Sequence, residues 1–182
     1  MYISRHDNAL KCFVWPLLKT YKLVDKAPNW NSSDKVKPYY CDTEKKTQFW
    51  WDSPEYTGHD NEPEHPLRPD GKIIIDGLKK VLLIEMTVPW ISNRIEKLSY
   101  KNEKYKRIQE RLKFEHQSYE IDQITLVMDV FGGYGKDLIE NIKKVIKDER
   151  TVNNIVKNMQ KSIISSAAHL SRTFKIRTNA SH

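Results

Sequence analysis

The run from Arg68 to Trp90, RPDGKIIIDGLKKVLLIEMTVPW, restricts the fold more than any other part of the chain. Two segments rich in Ile, Val and Leu flank Asp76-Gly77, a dipeptide favoured in tight turns, so the spacing predicts a β-hairpin. The second segment is apolar on both faces except at Glu85, and an unpaired carboxylate in a core costs on the order of several kcal/mol. A compensating group is therefore required. An even-numbered loop such as Gly77-Leu78 sets Asp76 against Lys79 and, counting outward, Asp70 against Glu85. Directly opposed residues share a face of the sheet with Cβ atoms roughly 4.5 to 5.5 Å apart. Two carboxylates that close can hold one hard divalent cation through oxygen. A three-residue loop would put them on opposite faces and remove the site.

With 182 residues, 38% hydrophobic content, five Trp and nine Tyr, the chain has enough apolar mass for a single domain with its own core. Its 31 Lys and Arg against 24 acids give a formal charge of +7. That balance favours a polyanionic partner such as nucleic acid, although a lysine-rich composition alone gives the same number. Cys12 and Cys41 are too few for a zinc knuckle or a disulfide scaffold, which reads as an intracellular, reduced chain. No apolar run approaches the roughly 18 to 20 residues of a membrane span, and the N-terminus lacks a signal-peptide pattern.

Ser4 to about Tyr21 shows helical spacing through Leu10, Phe13, Val14, Leu17 and Leu18, with Pro16 expected to kink or shorten it. Residues 22–47 read as a long surface excursion with room for a short strand, in which Trp30, Tyr39 and Tyr40 are aromatic anchors rather than base-stacking residues. Phe49 to Thr57 reads as a strand confined to an edge or bulge by Pro54. The polar loop 58–67 carries His59, Asp60, Glu62, Glu64 and His65 without a recognisable ligand spacing, and no role is assigned to them.

Past Pro89, Ser92 or Asn93 can cap a helix, with Glu96 in capping-box position after Asn93, and the helix is expected to run from about Asn93 to His116. Its inward stripe is Leu98, position 101, Tyr105, Ile108 and Leu112, and position 101 is a lysine. A lone inward lysine usually snorkels, but here two inward acids precede it. Tyr105 is expected to pack in the core. Ile121 to Val130 reads as an internal strand, followed by helices over 136–147 and from about Val152 to Phe174, the last with a basic end (Lys157, Lys161, Arg172, Lys175, Arg177) suited to phosphates. The expected fold class is α/β, a mixed sheet of about four strands flanked by helices, in one domain spanning 1–182.

Arg68-Pro69-Asp70, then Glu85, Val88-Pro89-Trp90 and Lys101-Asn102-Glu103-Lys104-Tyr105, resembles the restriction-like endonuclease domain of site-specific non-LTR retrotransposons, a branch of the PD-(D/E)xK nucleases. Arg5-His6-Asp7, Trp51-Asp52 with Tyr56-Thr57, Val127 to Gly133, Gln160-Lys161-Ser162 and His169-Leu170 extend the resemblance over about residues 5–175. In the parent superfamily a lysine stands two residues after the second acid, where this chain has Thr87. The retrotransposon branch is similar to this sequence in carrying that lysine on the following helix, which maps to Lys101 or Lys104.

The resemblance implies a restriction-endonuclease-like core and a Mg²⁺- or Mn²⁺-dependent DNA endonuclease acting in the nucleus. Such an enzyme nicks a target duplex to prime reverse transcription. Asp70 and Glu85 would be the metal ligands and catalytic carboxylates, with Lys101 and Lys104 as catalytic lysines. Asp52 is open between accessory ligand and turn cap. The family's zinc knuckle and reverse transcriptase lie upstream in one polyprotein, so the resemblance implies an excised domain or domesticated remnant. The alternative is a nucleic-acid-binding module that keeps the nuclease fold without its chemistry.

Overall fold

The hairpin forms in the register the sequence demands. In a computed structural model of the chain, describing residues 2–55 and 67–179 and side chains over 5–55 and 67–169, β1 (Tyr39–Cys41), β2 (Thr47–Trp51), β3 (Gly71–Ile75), β4 (Lys80–Thr87) and β5 (Glu120–Val127) make one mixed sheet in that spatial order. β3 pairs antiparallel with β4 from Ile75↔Lys80 to Gly71↔Ile84, so the next step outward sets Asp70 against Glu85. The connecting turn has four residues rather than two. A 3₁₀ turn covers Asp76–Leu78, and Lys79 closes it at φ 49°. Even parity is kept, and with it the shared face.

Alternation along β3 and β4 divides two apolar layers. Ile73, Ile75, Leu82, Ile84 and Met86 face α1 (Tyr2–Thr20), α4 (Lys136–Lys143) and α5 (Glu149–Asn179), meeting Leu10, Phe13, Leu17, Leu138 and Met159. Ile74, Val81 and Leu83 face Tyr105, Ile108 and Leu112 on the other side. The α/β class with helices on both faces is therefore as expected, with β1 as a fifth strand inside the 22–47 excursion. Trp30 and Tyr40 pack against the first core and act as anchors.

Several boundaries differ from the sequence reading. β2 stops at Trp51, where Asp52 adopts φ 47°, and among the described residues beyond it Glu55 returns to pair with Leu67. α1 continues through Pro16 to Thr20, held by the burial of Leu17 and Leu18 beyond the proline. The expected single helix from Asn93 is two, α2 (Arg94–Lys104) and α3 (Lys106–Glu115), broken at Tyr105 with φ −102° and ψ 7°. Asn93 makes no side-chain cap, since a 3₁₀ turn over Ile91–Asn93 already feeds the helix.

β5 is an edge strand among the described residues rather than an internal one. Its open edge is covered by α4 and the residue that follows it: Asn141 Nδ2 donates to Thr125 O at 2.9 Å and Lys144 Nζ to Gln123 O at 3.1 Å, satisfying carbonyls that an exposed edge would offer to another chain. The loop residues His59 to His65, Tyr56-Thr57, and the side chains of Leu170, Arg172, Lys175 and Arg177 lie outside the described residues. Lys161 sits over the Trp30 ring, 5.9 Å from its centroid. No described helix is long and apolar enough to cross a membrane.

Candidate active site

At the open end of the hairpin, Asp70 stands one residue before β3, where it meets His6 of α1, and Glu85 of β4 meets Lys101 of α2. Gly71 follows Asp70 because a side chain there would press the ring of Phe49, with Cβ only 3.2 Å from Cε2. Asp70 takes the place of a ladder partner. Its Oδ2 accepts from the Met86 N–H at 2.6 Å and from His6 Nε2 at 3.1 Å. Glu85 is 1% exposed. Its Oε1 accepts from Lys101 Nζ, while Oε2 is buried with no hydrogen-bond partner among the described residues. Burial, then the charge of Asp70, pushes the Glu85 carboxyl above its usual range, against the pull of Lys101 and the nearby Tyr105 hydroxyl.

Lys101 therefore reaches inward as its place in the stripe suggested, and Lys104 does not reach the acids. Lys104 Nζ donates to the Tyr105 hydroxyl at 2.9 Å and lies over that ring. Tyr105 is fully buried, as expected, but its hydroxyl also belongs to the site: it donates to Arg68 O at 2.9 Å and stands beside Glu85, whose charge, after burial, drives its pKa upward. The break at Tyr105 lets one aromatic end α2, start α3 and still point into the sheet.

α2 itself buries no residue. What fixes Lys101 is a polar network reaching from β5. Gln123 Nε2 donates to Lys101 O at 3.1 Å and to Thr125 Oγ1 at 2.9 Å, Thr125 Oγ1 donates to Asn102 Oδ1 at 2.6 Å, and Gln109 Nε2 donates to Gln123 Oε1 at 2.9 Å. Gln123 and Thr125 are both buried, where satisfied polar networks are rigid.

Sequence reasoning gave His6 no role. Burial lowers its pKa, but the Asp70 bond and charge, the Asp7 bond and the Met86 carbonyl outweigh it, and the imidazole is raised to about 9. Both ring nitrogens donate: Nδ1 to Asp7 Oδ1 at 3.0 Å, Nε2 to Asp70 Oδ2 and Met86 O at 3.1 Å each. The sequence placed it early in a core-packing helix and within the Arg5-His6-Asp7 segment of the resemblance, neither of which says that this end meets the hairpin. Glu55 was also missed. It is 4% exposed and held by Lys72 Nζ and by Arg111 Nη2 at 2.5 Å, a structural ion cluster hinted at by Lys72 interrupting an Ile-rich strand.

His6, Asp70, Met86, Thr87, Lys97 and Lys101 line a cleft of about 500 Å³. Asp52 also lines it and pairs with Arg68 at 3.6 Å, 59% exposed, in the manner of a turn residue. No group of three or more His, Cys, Asp and Glu that could hold a metal occurs among the described residues. The donors at hand are two carboxylates, one with an orphaned buried oxygen. Two carboxylates alone could hold only an ion that keeps several of its waters, of the Mg²⁺ or Mn²⁺ kind, and could not form a closed protein cage. The chain matches no protein-family model and no curated protein.

Proposed function

We propose that the chain is a metal-dependent DNA endonuclease of the restriction-like type carried by site-specific non-LTR retrotransposons, nicking target DNA in the nucleus to prime reverse transcription. The observation that carries this reading is the meeting of Asp70, Glu85 and Lys101 at one end of the hairpin, with Glu85 Oε2 buried and without a hydrogen-bond partner among the described residues. Asp70 and Glu85 would hold a divalent ion, which in such a site acidifies water and polarises the phosphate. His6 and the Met86 N–H grip Asp70 Oδ2 and so fix the carboxylate's orientation. Lys101, held in register by Gln123, places its ammonium beside Glu85, where it neutralises charge building on a phosphate or orients the attacking water. Lys104 serves through Tyr105 rather than at the acids. Lys97, also lining the cleft, adds charge suited to the DNA backbone.

A binding module without catalysis is favoured by one fact: His6 and Lys101 already balance the two acids, and no third ligand joins them among the described residues. Nicking of supercoiled plasmid in Mg²⁺ or Mn²⁺ separates the two. The nuclease reading predicts cleavage that falls about 100-fold or more in Asp70→Ala and Lys101→Ala. Equal cleavage in all three proteins would expose a contaminant, and salt-sensitive DNA binding without cleavage would leave the binding module.

A further inference from the structure

Where β4 and β5 end, the chain presents aromatic surface that neither core layer uses. Trp90 is 63% exposed and Phe131 64%, with ring centroids 6.1 Å apart at 60°. Both sit on fixed backbone. Val130 N donates to Pro89 O at 3.0 Å, and Asn93 N to Trp90 O at 3.0 Å. The buried Asp129 carboxylate accepts from Phe131 N and Gly133 N at 2.9 Å each, while Gly132, at φ 83°, makes the turn. Asp129 is thus spent on holding a large apolar ring out in water.

The pair lines a groove of about 500 Å³ whose charged lining residues, Arg5 and Lys97, are both cationic. Lys97 also lines the acid-bearing cleft, and Arg5 directly precedes His6 there. Open aromatic faces beside cations suit a nucleic-acid strand whose bases are unstacked, since each base offers a π-face and each phosphate an anion. Continuous duplex keeps those faces inside its own stack.

We propose that Trp90 and Phe131 form a shelf that stacks unpaired bases of the strand entering the cleft lined by Asp70 and Lys101, so that this chain prefers DNA with a single-stranded segment beside the cut. The placement of that strand rests on the nuclease reading. The test measures binding of the full chain in EDTA at fixed salt, by fluorescence anisotropy, to a labelled duplex and to the same duplex with one unpaired arm. The wild type should bind the forked DNA about tenfold or more tighter. Trp90→Ala with Phe131→Ala should lose that preference while keeping duplex affinity, and Trp90→Phe with Phe131→Tyr should retain it.

Equal wild-type affinity for the two DNAs overturns the proposal, and that comparison needs no variant to fold. So does a double-alanine protein that still prefers the fork, or one whose only change is loss of self-association in ultracentrifugation, which would make the patch a contact between copies. Metal-free binding also separates the two readings. A chain that prefers the fork but nicks nothing keeps the shelf and loses the nuclease, whereas one that nicks and binds both DNAs alike, with or without the two rings, keeps the nuclease and loses the shelf.

Discussion

Glu85 and His6 show how the site holds charge before anything is bound. Burial works against both: it raises the carboxyl of Glu85 and would lower the imidazole of His6, were it not for Asp70, Asp7 and the Met86 carbonyl. Because the folded-state pKa of His6 is raised to about 9, its contribution to stability is fully present below the unfolded value near 6.5. It is lost as pH climbs through 9. His6→Gln should therefore cost up to about 3 kcal/mol in urea denaturation at pH 6 and very little at pH 10. A penalty of equal size at both pH values would mean that packing, not the charged bond to Asp70, holds the ring.

At the scale of elements, the site is assembled by parts with different sources of rigidity. β3 and β4 are fixed by the ladder and by both core layers, whereas α2, lacking any buried residue, is tethered by Gln123 and Thr125. Gln123 is a positioning residue for Lys101. Gln123→Ala should cost about 1 to 3 kcal/mol of stability, speed hydrogen exchange at α2 amides and, under the nuclease reading, lower kcat of nicking with little change in KM. Unchanged exchange in α2 would remove the tether from the account.

The hairpin register was legible because alternation and turn parity are local, and a single inward acid in Val81–Thr87 asks for a partner. The inward lysine was legible from helical spacing. His6 was not, since its contact with Asp70 joins residues 64 apart in sequence. Nor was the helix break, because tyrosine carries no helix-stop signal and Tyr105 turns on tertiary packing. β5 read as internal because it is apolar, and its actual place at the edge, closed by Asn141 of α4 and Lys144 just after it, is a covering that a strand's own composition cannot reveal.

Across the whole molecule, the cleft lies where the two apolar layers meet at one end of the sheet. α1 contributes His6 from one layer, α2 contributes Lys101 from the other, and the hairpin between them carries both acids. The chain as a whole carries a formal charge of +7, so under the nuclease reading DNA affinity should fall steeply with salt. The ion itself is the part to measure. Titration of Mn²⁺ followed by electron paramagnetic resonance, which needs neither DNA nor cleavage, should show one bound ion per chain in the wild type and weakening of at least about tenfold in Asp70→Asn and in Glu85→Gln. Mn²⁺ binding that is absent from the wild type, or that survives both substitutions unchanged, would contradict the assignment of these two carboxylates as a metal site.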